Sequence, residues 1–380
     1  DAAKRVTLFC GSGVAGAHAQ VMALAERLKA PVGHALGGKD WIQHDNPYDV
    51  GMSGLLGYGA CYEAMHECDL LILLGTDFPY VQFMPREPRV VQVDLRRERL
   101  GSRSRLDLGV WGDVRETLDA LLERVAEKPD RSFLDAMLER HRELVARIRA
   151  YADDVRTSRP IHPEYVAATL DELAADDAVF TVDTGMCNVW AARLIHGTAG
   201  RRFLGSYMHG SMANALPQAI GAQIADRNRQ VIALCGDGGF AMLMGEMLTV
   251  LQHDLPVKIV IFDNGSLGMI ALEMLVAGYP PHETALKNPD FAAVARAAGM
   301  TGIRIEDPGD VRDGLAEALA TPGPVLVDVL TDPNALAMPP KITGAQVRGF
   351  ALAMTRTVLS GDAEGALTMA RSNLRNLPRP

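Results

Sequence analysis

Val231-Ile232-Ala233-Leu234-Cys235-Gly236-Asp237-Gly238-Gly239-Phe240 joins an apolar run to a glycine-rich turn, and a second run, Val257 to Phe262, leads into Asn264-Gly265-Ser266. Short continuous apolar runs bounded by turn residues read as strands of a parallel sheet covered on both faces. Two such strands side by side would bring one carboxylate, one carboxamide and a glycine turn to one point. Glycine lets the backbone approach a phosphate without a Cβ in the way. Phe240 to His253 reads as the following helix, whose first N–H groups and positive dipole end would face an anion. Mg²⁺ takes six oxygen ligands at about 2.0–2.1 Å, usually shared between protein and phosphate. Asp237, Asn264 and a backbone carbonyl near Ser266 could supply three, so the pattern predicts a magnesium–diphosphate site.

The same α/β rhythm runs outward from this stretch. Strands are expected at Val179–Val182, Val231–Cys235, Val257–Phe262 and Val325–Val329 within a domain over residues 161–334. A first domain, residues 1–130, carries Val6–Cys10, Pro31–His34, Leu70–Gly75 and Val90–Asp94. The fold class predicted is α/β, with two doubly wound parallel-sheet domains. Residues 131–160 read as a linking helix, apolar at helical spacing from Phe133 to Ile148, ended by Arg159-Pro160-Ile161-His162-Pro163. Residues 335–380 read as an amphipathic tail. Val347, Phe350, Ala351, Met354 and Val358 share one helical face, and Leu367, Ala370 and Leu374 share another. With Arg371, Arg375 and Arg379 unopposed by acid, the tail is expected to meet an anionic lipid surface.

The 380 residues allow two or three domains, and 48% hydrophobic with 22% charged residues is ordinary for a globular chain. A formal net charge of −9 argues against general nucleic-acid binding. Cys10, Cys61, Cys68, Cys187 and Cys235 have no metal-ligand spacing and read as reduced, buried thiols. No run has the length of a transmembrane helix and Asp1-Ala2-Ala3-Lys4 is no signal peptide.

Gly11-Ser12-Gly13-Val14-Ala15-Gly16 is a literal G-x-G-x-x-G between strand and helix, which alone would predict a dinucleotide site for NAD. The acid that should end the second strand is missing from Pro31-Val32-Gly33-His34-Ala35. The Gly-Asp-Gly and Asn-Gly-Ser pair resembles the thiamine-diphosphate (ThDP) binding signature. Together with Cys10-Gly11-Ser12-Gly13, Asp45-Asn46-Pro47-Tyr48-Asp49-Val50-Gly51-Met52, Gly75-Thr76-Asp77-Phe78-Pro79-Tyr80 and His209-Gly210-Ser211-Met212-Ala213-Asn214-Ala215, it extends over nearly the whole chain. The chain is most similar to the quinone-linked pyruvate dehydrogenase (pyruvate oxidase) branch of the acetolactate-synthase-like enzymes.

That resemblance implies an FAD-binding first domain. Its flavin contacts would come from Gly54-Leu55-Leu56-Gly57, from Gly75, Thr76, Phe78 and Pro79, and from Asp94 and Asp113. It places Asp183 and Gly185 beside the diphosphate, with Gly238, Gly239 and Gly265 in the turns around it. The Gly210 carbonyl would accept a hydrogen bond from the cofactor's exocyclic amine, and Met212, after Ser211, would wedge between its two rings. Leu267, Gly268, Met269, Ile270 and Glu273 would lie over the thiazolium, with Glu273 the substrate-pocket carboxylate and Met269 standing where relatives carry an aromatic. Asn188 and Trp190 read as packing.

The activity implied is oxidative decarboxylation of pyruvate to acetate and CO₂, with ThDP, Mg²⁺ and FAD as cofactors and a membrane quinone as electron acceptor. The resemblance further implies a homo-oligomer, cytoplasmic and peripheral on the inner face of the cell membrane. Two alternatives stand beside it: condensation of 2-keto acids as in acetolactate synthase, and a non-catalytic cofactor-binding fragment. The family's activating glutamate lies on an N-terminal domain for which this chain, beginning at Asp1, has no counterpart motif. By itself the chain is therefore expected to be inactive, its missing domain removed or supplied by another polypeptide.

Overall fold

The apolar runs become strands buried from end to end, and alternate residues feed cores on opposite faces of the sheet. In β1 (Val6–Cys10) and β5 (Leu70–Leu74), Leu8, Cys10, Ile72 and Leu74 pack into one cluster while Phe9, Leu71 and Leu73 pack into another. The computed structural model describes residues 2–336, 344–359, 364, 367–369 and 372. It divides into a central unit, residues 1–148 with 196–199, and a C-terminal unit, residues 149–195 with 200–380.

The central unit holds a seven-stranded sheet. Its remaining strands are β2 (Val32–His34), β3 (Asp49–Met52), β4 (Tyr58–Gly59), β6 (Arg89–Asp94) and β7 (Leu108–Trp111), in the order β4-β3-β2-β1-β5-β6-β7. Only the β3–β4 pair is antiparallel. In the C-terminal unit β8 (Val179–Val182), β9 (Arg202–Gly205), β10 (Val231–Gly236), β11 (Lys258–Asp263), β12 (Thr301–Ile305) and β13 (Val325–Leu330) form a parallel sheet ordered β12-β13-β11-β10-β8-β9. Parallel pairing puts every strand's carboxyl end on one edge, where ligands of open α/β sheets bind. Asp183, Asp237, Asn264 and Thr331 follow β8, β10, β11 and β13 on that edge.

The strands the sequence does not announce are short or peripheral. β3 contains Asp49 and Gly51, and β7 is an edge strand with Leu108 and Trp111 exposed. The helix expected from Phe240 to His253 is broken into Asp237–Leu243, a 3-10 turn Met244–Glu246 and Met247–Gln252. Gly245 sits in the break, where a glycine weakens helix most. The long charged helix spans Ser132–Asp154.

The first domain's glycines do not build a nucleotide cradle. Gly11 and Gly13 donate their N–H groups to Leu74 O (2.9 Å) and Gly75 O (2.9 Å). A Cβ on Gly13 would fall 2.6 Å from the Cα of Gly75, so these glycines serve the close approach of two strand-end turns. The other proposed flavin contacts are engaged within the unit. Gly57 donates to Gly54 O (3.0 Å) under the Phe78 ring, and Phe78 stands edge-on to Phe9 at 5.1 Å. Thr76 is buried against Gly11, and Asp94 Oδ1 accepts from Arg96 N (2.8 Å). Asp113 caps the helix Val114–Leu122 by accepting from Glu116 N (3.1 Å). Leu55 and Pro79 are exposed, and Leu56 lies in the same loop as Gly54 and Gly57.

The helix Gly344–Leu359 packs on the helix Gly268–Val276 of its own unit, with Ala353 fully buried. Arg356 donates to Gly278 O (2.6 Å) and lies over the Tyr279 ring at 5.7 Å. Val347 and Val358 stay exposed, while Ala370, Arg371, Leu374, Arg375 and Arg379 lie outside the described residues. Among the described residues no helix is long and apolar enough to cross a membrane.

Candidate active site

A cavity of about 250 Å³ opens at the carboxyl edge of the C-terminal sheet, where β8, β10, β11 and β13 end. Asp183 and Asp237 enter it from neighbouring strands, both almost fully buried. Asp183 Oδ1 accepts from Ala215 N (2.8 Å), while Oδ2 is buried without a partner and would lie 2.4 Å from a Cβ on Gly239. Burial pushes its carboxyl up to about 6. Asp237 Oδ1 accepts from Gly238 N (2.9 Å) and Oδ2 from Asn288 Nδ2 (2.8 Å). Its carboxyl is likewise raised to about 6, first by burial, with Asp263 adding to the rise and the Asn288 bond opposing it.

The turn after β11 is shaped by its own side chains. Asn264 Oδ1 accepts from Ser266 N (3.0 Å), and Gly265 takes a φ of +62°, a left-handed conformation that favours glycine. Asn264, Ser266, Leu267 and Gly268 line the cavity. Met269, Ile270 and Glu273 reach it from the helix that begins at Gly268. Gly185, Gly210 and Met212 line it as well. The Met212 Cε would meet a Cβ on Gly238 at 3.4 Å, so the thioether closes over the Gly-Asp-Gly turn. Ser211 and Gly265 belong to the turns that carry these residues, and the Ser211 carbonyl accepts from Asn214 Nδ2 (2.8 Å).

Three glycines give the cavity its cradle. A Cβ on Gly185 or Gly236 would meet nothing within 4 Å, and one on Gly210 would meet only Thr184 at 3.8 Å. Side chains there would project into open space, so the residues present fit a ligand that must lie against backbone. Among the described residues no group of three or more His, Cys, Asp or Glu stands where a cation could sit. The expected metal-binding character thus gains no support from a ligand cluster of the protein's own. Asp237 is a single carboxylate, and a cation here would need oxygens from the ligand as well.

Several cavity residues lie outside the motifs. Trp190, read from sequence as packing, is buried and lines the wall with Met186 and Cys187. Asp332 also lines the cavity, 3.5 Å from His162 Nε2, and His162 Nδ1 is 3.6 Å from Glu164. Asp263 and Asn288, behind Asp237, have no sequence signature beyond an Asn-Pro-Asp turn before an apolar helix.

Residues 183–329 match the family model described as thiamine pyrophosphate enzyme, C-terminal TPP binding domain. Residues 1–121 match the thiamine pyrophosphate enzyme central domain. A protein of Bacillus subtilis strain 168, provisionally named as thiamine pyrophosphate-containing, is 36% identical over 354 residues, 93% of this chain and 61% of its own. The acetolactate synthase large subunit of Parasynechococcus marenigrum is 32% identical over 385 residues, 95% of this chain and 61% of its own. A Methanocaldococcus jannaschii protein provisionally named as that subunit is 32% identical over 356 residues, 89% of this chain and 59% of its own. The chain thus spans about three-fifths of the length of these curated relatives.

These matches correct the resemblance in two ways. The first domain is the central domain of thiamine pyrophosphate enzymes, not a separate FAD-binding domain, in keeping with glycines that pack against one another. The two of these relatives whose names state an activity are named, one of them provisionally, as acetolactate synthase large subunits, which overturns the FAD-linked, quinone-reducing dehydrogenase and favours the condensation alternative.

Proposed function

We propose, from the premise that this chain belongs to the thiamine pyrophosphate enzyme family, that it supplies the diphosphate-binding half of an enzyme that decarboxylates or condenses 2-keto acids. The observation that carries this reading is the convergence of Asp237, Asn264 and three open-faced glycines on one cavity at a sheet's carboxyl edge. Asp237, Asn264 and the Ser266 carbonyl would hold Mg²⁺ together with diphosphate oxygens. When bound, the cofactor supplies a carbon nucleophile and a sink for the electrons left by CO₂.

The chain's own residues set the surroundings. Gly185, Gly210 and Gly236 admit the ligand to the backbone, and Met212 and Leu267 enclose it. Trp190, Met186 and Cys187 keep water from the inner wall, which strengthens electrostatic contacts inside. Glu273 is the carboxylate on the helix over the cavity and is the group we assign to proton exchange with the substrate. Met208, Met242 and Leu248 leave apolar side chains exposed on the segments around the glycine turns. We take them as the seat of a further domain or a second copy of the chain, in line with the greater length of the relatives.

Product analysis tests the reading. The chain, assembled with the N-terminal region of the Bacillus subtilis relative and given ThDP, Mg²⁺ and pyruvate, should release CO₂ and form acetolactate. Absence of ThDP-dependent CO₂ release from pyruvate and from 2-ketobutyrate would contradict it.

A further inference from the structure

The segment Thr284–Asn288 laces together the two turns on which the cation reading depends. Leu267 N donates to Thr284 O (2.8 Å), Leu286 N donates to Gly265 O (2.8 Å), and Ser266 pairs with Ala285 in an antiparallel bridge. Two residues beyond Leu286, Asn288 directs its amide towards the strand ends. Its Nδ2 donates one hydrogen to Asp237 Oδ2 (2.8 Å) and the other to Asp263 Oδ1 (2.7 Å). The strap is anchored behind this point. Asp290 caps the helix Phe291–Ala298 by accepting from Ala293 N (2.8 Å), and Phe291 N donates to the buried Asp328 Oδ2 (3.1 Å).

Asp237 and Asp263 lie at the carboxyl ends of β10 and β11, whose register pairs Gly236 with Phe262. Both are buried, at 3% and 9% exposure. Two carboxylates held side by side away from water repel one another. An amide amino group offers one hydrogen to each without adding a charge of its own. With Gly238 N on Oδ1 and Asn288 on Oδ2, both oxygens of Asp237 are fixed, and each keeps a lone pair for a cation.

We propose that Asn288 is a positioning residue: its amino group holds Asp237 in the orientation that lets it share a divalent cation with Asn264, against the neighbouring Asp263. This rests on the reading of the cavity as a ThDP and Mg²⁺ site. Any chemistry there is the cofactor's, and Asn288 acts only through Asp237.

The test is calorimetric titration of the full chain with ThDP at fixed Mg²⁺, together with melting of the ligand-free protein. Asn288→Ala should weaken ThDP at least ten-fold and lower the melting midpoint by several degrees. Adding Asp263→Asn to that variant should restore most of both, because the new amide beside Asp237 can donate to Oδ2 in its place. Asn288→Ser, which keeps one donor in place of two, should lose less, and it serves if the alanine variant does not fold. If Asp237→Ala leaves Mg²⁺-dependent binding intact, the cavity reading falls and takes this inference with it. If Asp237→Ala abolishes binding while Asn288→Ala matches wild type, or Asp263→Asn restores nothing, the positioning role alone is overturned.

Discussion

Glycine turns end strands in both units of this molecule, and they do opposite things. In the central unit Gly13 and Gly75 face each other so closely that a Cβ on either would fall within 2.6 Å of the other's Cα. In the C-terminal unit a Cβ on Gly236 or Gly185 would meet nothing within 4 Å. The first pair exists to let two turns touch, and the second leaves room for something that is not protein. A glycine motif therefore names a close approach without naming the partner, which here is another turn in one unit, while the other unit presents open cavity space.

Paired substitutions break or sharpen this contrast. Gly236→Ala, at a φ of −80°, should leave melting unchanged and weaken ThDP by ten-fold or more, since the methyl enters the cavity. Gly13→Ala should do the reverse. Its methyl meets backbone, so the central unit should lose about 1–3 kcal/mol, as overpacked cores do, while ThDP affinity stays at the wild-type value. Equal effects of the two variants on melting and on ligand binding would erase the distinction between the units.

A smaller effect should appear with pH, again with opposite sign in the two units. In the central unit burial lowers His34 from 6.5 to about 4, so between those values the unfolded chain binds more protons than the folded one. Its contribution to stability is present above that window and lost as pH falls through it. In the C-terminal unit burial raises Asp183 and Asp328 from 3.8 to about 6, so there the folded form binds more protons. Their contribution is present at the acid end of that window and lost as pH rises through it. Amide hydrogen exchange of the ligand-free chain should show the central unit gaining protection relative to the C-terminal unit as pH rises from about 4 to about 6. His34→Gln should flatten the difference. Parallel shifts in both units would contradict these assignments.

The central strands were legible because covering on both faces demands unbroken apolar runs: β1, β5, β10 and β11 are buried along essentially their whole length. Edge strands such as β7 keep residues in solvent and carry no such run. Asp237 and Asn264 were legible as well, since their turns stand next to strong strands. The flavin reading came from the resemblance, and residues it named are engaged within the unit, as where Gly57 donates to Gly54 O and Asp113 caps the helix Val114–Leu122. A G-x-G-x-x-G pattern cannot tell whether its N–H groups are free, and those of Gly11 and Gly13 are held by Leu74 and Gly75. Asn288 was illegible because its partners, Asp237 and Asp263, meet it only through the path of the strap from Thr284, which no local pattern encodes.

The most direct test of the account is a titration of the chain with ThDP, with and without Mg²⁺, in wild type and in Asp237→Ala. The account predicts binding that requires Mg²⁺ and is weakened at least a hundred-fold by Asp237→Ala, about 2.8 kcal/mol at roughly 1.4 kcal/mol per ten-fold. Binding of equal strength in both proteins, or binding indifferent to Mg²⁺, would contradict it.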